Sequence, residues 1–190
     1  MFKTIPNILT LIRILLIPVF VVVFYLPFAG AHFVAAMIFG TACATDWWDG
    51  YLARRLKQTS KLGAFLDPVA DKLIVTTALI IIVGVKYLHG LVLPAIVIIG
   101  REIVVSALRE WMAEVGQRAH VAVVTIAKWK TLIQMLAIFC LIAYTPSAYT
   151  IVVVVGYIAL YIAMILTLWT MLLYLRASRK AFIDADDVNA

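Results

Sequence analysis

The chain has 190 residues, of which 65% are hydrophobic and only 14% charged, and its net charge is +6. A soluble domain is about half apolar and about a quarter charged. A water-soluble globule, a disordered chain and nucleic-acid binding as the main role are therefore excluded.

A bilayer core about 30 Å thick requires roughly 20 apolar residues per helix. Apolar stretches run over 8–28, 32–53, 65–87, 91–112, 121–143 and 150–175, with breaks at 27–31, 54–63, 89–90, 116–119 and 145–146. The expected fold is all-α: a polytopic membrane bundle of six transmembrane helices, with a short interfacial helical segment at its N-terminus. One membrane domain is expected over 1–180, followed by a frayed cytoplasmic tail over 181–190. Cys43 and Cys140 lie in apolar runs and read as packed thiols rather than a disulfide framework.

Basic residues set the orientation. With the N-terminus inside, Lys3, the cluster Arg54, Arg55, Lys57 and Lys61, then Arg118, Arg176, Arg179 and Lys180 are all cytoplasmic. The outer connections hold only Lys86, His32 and His89. An N-in, C-in topology follows. A secretory signal ending at Ala29-Gly30-Ala31 is the competing assignment for the first span, but its apolar region is too long and Arg13 interrupts it.

Along that first span, Asn7, Thr10 and Arg13 recur every third residue on one side of an apolar helix. Capping and interfacial anchoring explain Asn7 and Thr10 adequately, and nucleotide contact is slightly preferred. The second and third spans hold the anomaly. Ten residues are acidic, and Asp46, Asp49, Asp67, Asp71 and Glu102 all fall inside spans. An intramembrane carboxylate costs about 2.5–3.5 kcal/mol on insertion scales and marks a functional site by default. Asp46 and Asp49 share one face of the second helix at i, i+3, and Asp67 and Asp71 share one face of the third at i, i+4. The connecting loop makes these helices antiparallel neighbours, which brings the pairs together at similar depth.

Two like charges about 4 Å apart repel by about 4 kcal/mol even at an effective dielectric of about 20. Either some carboxylates are protonated or cations bind. Capping, or pairing with Arg54 and Lys72, would explain one aspartate but not four. An all-oxygen set suits two divalent ions, Mg2+ or Mn2+, rather than zinc, and paired metals are a usual clamp for phosphoryl transfer.

The pattern Asp46-x-x-Asp49-Gly50-x-x-Ala53-Arg54, then Gly63, Asp67 and Asp71, resembles the motif of the CDP-alcohol phosphatidyltransferase family at every fixed position. The segments PNILTLIRI, GREIVVSALREWMAEVG and AKWKTLIQM look like the bacterial branch that makes phosphatidylglycerol phosphate. The resemblance implies transfer of the phosphatidyl group from CDP-diacylglycerol to glycerol 3-phosphate, with release of CMP, at the cytoplasmic face of the bacterial inner membrane. It implies that Asp46, Asp49 and Asp67 are metal ligands, with Asp46 and Asp67 bridging two ions. Asp71 would ligate the second ion and act as general base. Gly50, Arg54 and Ser60 would contact the CDP group, Gly63 would help the nucleotide fit, and the protein would be a homodimer.

The acceptor carries its own phosphate, so its site needs further cations. Arg101, Arg109, Arg118, Lys128 and Lys130 are the candidates on helices four and five and their link. Arg109 has Glu110 and Glu114 as competing partners, Lys128 can snorkel, and Arg118 serves topology equally well. Arg101 has Glu102 beside it, but adjacent helix residues point apart, which favours pocket use. Glu102, Ser106 and Arg109 share a face as a polar seam. The sixth span is uncharged, and Gly156, Ala159 and Ala163 suggest close packing and nothing catalytic. His32 and His89, on the outer side, are not metal ligands, and Trp47 and Trp48 read as belt or packing residues. Serine and inositol phosphate are alternative acceptors. An intramembrane prenyltransferase lacks the Gly50, Ala53, Arg54 and Gly63 spacing. A cation transporter would show repeated halves, which this chain lacks.

Overall fold

A computed structural model describes the backbone of residues 5–56, 61–114, 124–144 and 150–188, and side chains over 7–45, 63, 65–112, 129–144 and 151–176. Its six helices are α1 (Ile5–Tyr25), α2 (Ala31–Leu56), α3 (Lys61–Val83), α4 (Val92–Glu114), α5 (Val124–Ile142) and α6 (Thr150–Val188). Each falls on one expected apolar stretch. Two differences stand out. α1 is continuous from Ile5, so no separate interfacial segment precedes the first span among the described residues. α6 runs on to Val188, so the expected frayed tail is helical over 181–188.

The connections follow from local chemistry. Gly30 and Gly90 take φ values of 97° and 79°, a region open to glycine and costly for most side chains. The turn at Gly90 is held from α6. Tyr157 donates to the His89 carbonyl and Tyr161 to the Gly90 carbonyl, each at 2.8 Å.

The apolar core lies at one end of the bundle. Phe20, Phe24, Phe39, Ile74, Leu79, Ile82, Ile98, Ile138, Leu141 and Leu160 form one buried cluster. They come from the C-terminal halves of α1, α3 and α5 and the N-terminal halves of α2, α4 and α6, as alternating helix directions require. The buried polar residues Asn7, Thr10, Arg13 and Lys130 belong to the opposite halves of their helices, and Arg101 lies near the middle of α4.

Outside, the pattern of a soluble protein is inverted. Leu15, Val22, Ile80, Ile96, Ile103, Ile151 and Ile165 are exposed while cations are buried. α1 and α6 contain stretches long and apolar enough to cross a membrane, Asn7–Tyr25 and Ile151–Arg176. Shorter apolar stretches, Ala31–Thr45 and Trp129–Ile142, lie in α2 and α5.

The close packing expected of Gly156 is visible in its contact with α5. A Cβ there would lie 2.9 Å from Leu141 Cγ and 3.2 Å from Cys140 Cβ. Gly156→Val is expected to lower stability by about 1–3 kcal/mol through overpacking. Gly100→Ala, whose Cβ would meet nothing within 4 Å, is expected to raise it by up to about 1 kcal/mol. Thermal unfolding in detergent measures both, and equal melting of Gly156→Val and the parent would refute the tight contact.

Candidate active site

The site is built where α1 packs on α3 and where α3, α4 and α5 converge, with α6 behind α4. The polar stripe of α1 points into the bundle. Asn7, Thr10 and Arg13 are all buried, Arg13 at 1% exposure, which does not suit an interfacial anchor. Thr10 donates its hydroxyl to Asp67 Oδ1 at 2.5 Å. That contact fixes one carboxylate of α3 from α1, across a large separation in sequence. Pro68 follows Asp67 inside α3. Proline has no N–H to give to the carbonyl one turn back, which loosens the helix ladder beside the carboxylates.

Asp71 lines a cavity of about 170 Å3 together with Lys72, Arg101, Glu102, Arg109, Lys130 and Gln134. Apolar side chains, among them Val75, Ile98 and Met135, complete its wall. Sites for drug-sized ligands typically span about 300–1,000 Å3, so this one suits a small metabolite.

Its electrostatics centre on Glu102. One carboxylate oxygen, Oε1, accepts from Arg101 Nη1 at 3.0 Å and from Lys130 Nζ at 2.8 Å. Arg101 is 7% exposed and Lys130 2%. Two nearly buried cations thus share one anion, which leaves an excess positive charge in the wall. Burial of charge on this scale is tolerated only where partners are present. Arg101 also donates from Nη2 to Thr170 Oγ1 at 3.3 Å, and Thr170 in turn donates to the Thr167 carbonyl at 3.0 Å. The Nε of Arg101 is buried with no hydrogen-bond partner among the described residues.

Several expectations need correction here. Arg101 and Glu102 do pair, although neighbours on a helix start in different directions. Both side chains are long, and the buried Lys130 draws the carboxylate inward. Pocket use and pairing therefore coexist. Glu102 is a shared counter-ion rather than only part of a seam, although Ser106 does bond back to its carbonyl at 2.6 Å. Arg109 is held by α6. It donates to the Tyr174 hydroxyl at 2.9 Å and lies 5.1 Å from the Tyr174 ring centroid. α6, expected only to pack, thus supplies Thr170 and Tyr174 to orient site arginines. Gln134 was also missed. A lone amide in the apolar run after Lys130 was the available signal, under the rule that polar groups inside spans are functional candidates.

Asp71, Arg101, Arg109 and Lys130 share the cavity, and Thr10 joins Asp67. Gly63 is buried in the first turn of α3. The α2 backbone carries Asp46, Asp49, Gly50 and Arg54 in its C-terminal half, but their side chains lie outside the described residues, as does that of Lys128 on α5. Ser60 and Arg118 lie outside them entirely. Among the described residues no three His, Cys, Asp or Glu side chains converge. Asp67 and Asp71, one turn apart on α3, offer the hard oxygen donors that Mg2+ or Mn2+ prefers. Thr10 holds the first in place. The described half of the set fits such ions.

The model of the CDP-alcohol phosphatidyltransferase family matches residues 3–169. The chain belongs to that family. It is a transferase of phospholipid biosynthesis by that membership. Three bacterial relatives, each named CDP-diacylglycerol–glycerol-3-phosphate 3-phosphatidyltransferase, are similar over nearly their whole length. The protein from Pectobacterium atrosepticum is 52% identical over 180 residues, covering 95% of this chain and 97% of its own. That from Pseudomonas fluorescens is 56% identical over 175 residues, covering 92% and 89%. That from Haemophilus influenzae is 49% identical over 180 residues, covering 95% and 96%.

Proposed function

We propose that this chain transfers the phosphatidyl group of CDP-diacylglycerol to the primary hydroxyl of glycerol 3-phosphate, releasing CMP. The observation that carries the proposal is a single small cavity lined by a candidate base, Asp71, and by two buried cations, Arg101 and Lys130. The names of relatives about 50% identical over most of both chains support this donor and acceptor.

In this mechanism Arg101 and Lys130 bind the acceptor's phosphate, already oriented by Glu102 and Thr170, so little side-chain freedom is lost on binding. Asp71 accepts the proton of the primary hydroxyl. That oxygen then forms a bond to the phosphorus bearing the diacylglycerol, and the phosphoanhydride bond to CMP breaks. Asp46, Asp49, Asp67 and Asp71 would hold two divalent ions. When bound, these ions would neutralise the diphosphate and the charge developing on the leaving CMP. Asn7, Thr10, Gly50, Arg54, Ser60 and Gly63 would contact the nucleotide side.

The reading extends to topology. Six spans with both termini in the cytoplasm put the polar end of the bundle and the basic loops on one side, where soluble glycerol 3-phosphate is found. The bacterial inner membrane and a homodimer belong to the same proposal.

The test is CMP release in detergent. Purified protein is given CDP-diacylglycerol with glycerol 3-phosphate, serine or inositol phosphate, each with and without chelator. CMP is expected with glycerol 3-phosphate only, lost on chelation and restored by Mg2+ or Mn2+. Product only with serine or inositol phosphate would overturn the acceptor, and activity indifferent to chelation would overturn the ions.

A further inference from the structure

Gln134 has no part in the chemistry above. It lies one turn beyond Lys130 on α5, about 6 Å further along the axis at 1.5 Å per residue. It is 3% exposed and lines the cavity that holds Asp71, Arg101 and Lys130. Its Oε1 is buried without a hydrogen-bond partner among the described residues. The wall residues Val75, Ile98 and Met135 have no side-chain donor, and the hydroxyls of Thr76 and Thr131 on the same wall are not bonded to it. A buried amide oxygen left unmet is costly, and such groups are rare in native structures. In a cavity sized for a small metabolite, the partner to expect is a donor on the ligand.

The acceptor supplies one. Glycerol 3-phosphate has three polar parts: a phosphate, a primary hydroxyl that reacts and a secondary hydroxyl that does not. Arg101 and Lys130 take the first, and Asp71 takes the second. We propose that Gln134 takes the third, and so makes the enzyme selective for a polyol phosphate over an alkyl phosphate. This rests on the acceptor assignment above. The last torsion of a glutamine is broad, so the amide can turn its carbonyl oxygen to the hydroxyl. A site built to bond a substrate hydroxyl rejects the analogue lacking it far better than an apolar pocket rejects an extra hydroxyl.

The test compares the unaltered protein with Gln134→Met, which keeps the length, and Gln134→Leu. Each is assayed by CMP release with glycerol 3-phosphate and with 3-hydroxypropyl phosphate, which lacks only the secondary hydroxyl. Where the analogue is not turned over, its inhibition constant is measured instead. For glycerol 3-phosphate, kcat/KM is expected to fall about tenfold in both variants, the loss of one hydrogen bond, while the analogue changes by less than about twofold. An equal fall with both acceptors, or none with either, would overturn the proposal. Melting temperatures in detergent are expected to stay level or rise, because an unmet buried oxygen is removed. Melting well below the parent, with equal losses on both acceptors, would make Gln134 a packing residue. If the unaltered protein released no CMP with glycerol 3-phosphate, the acceptor assignment would fall and this proposal with it. Normal activity with indifferent variants would remove only the role of Gln134.

Discussion

Asp71→Asn is expected to lower turnover by a factor of about 10²–10⁴, the usual worth of a positioned general base, while donor binding that depends on metal largely persists. Asparagine keeps the shape and one oxygen of the side chain but does not accept a proton at neutral pH. The acceptor hydroxyl then has to shed its proton elsewhere. The placement of Asp71 makes this test sharp. It lines the same cavity as Arg101 and Lys130, so a bound acceptor phosphate would hold the hydroxyl within reach of the carboxylate. Asp67, one turn earlier, is tied to Thr10. CMP release and metal-dependent binding of CDP-diacylglycerol measure the two effects separately. CMP release near the parent rate would remove Asp71 from the base role.

Glu102→Gln is expected to cost about 3–5 kcal/mol of stability, because it leaves Arg101 and Lys130 buried without their common anion. Glu102 itself is 30% exposed, so water entering by the cavity favours the lower end of that range. Removing one cation as well should recover much of the loss. The double variant Glu102→Gln with Lys130→Met is therefore expected to melt above Glu102→Gln alone, a coupling that isolated surface pairs do not show. Melting in detergent decides it. A Glu102→Gln protein as stable as the parent would mean that the carboxylate does not carry the charge balance of the wall. The single variant also bears on function. Without Glu102 the two cations lose their shared anchor, Arg101 keeping only Thr170, and KM for glycerol 3-phosphate is expected to rise.

The helices and the Asp67–Asp71 pair were legible because both are local. Apolar run length reports a spanning helix, and i, i+4 spacing on one helix brings Asp67 and Asp71 to one face whatever the rest of the chain does. The partners of those side chains were not legible. Thr10 reaches Asp67 from α1, Lys130 reaches Glu102 from α5, and Tyr174 reaches Arg109 from α6. Arg109 illustrates the difficulty. Its sequence neighbour Glu110 offered an obvious charge pairing, yet the contact made among the described residues is with an uncharged tyrosine on another helix.

The sequence by itself determined that this is a helical membrane-type chain and made the few carboxylates within its apolar stretches the candidates for its chemistry. The cost of placing charge among apolar residues is large, so such residues are few and their positions informative. Only the tertiary structure decided which groups meet: that Glu102 joins two cations, that α6 steadies two arginines, and that Gln134 lines the cavity with its buried oxygen unmet among the described residues. Those outcomes depend on how helices pack side by side, on length scales of a few ångströms that no spacing within one helix encodes.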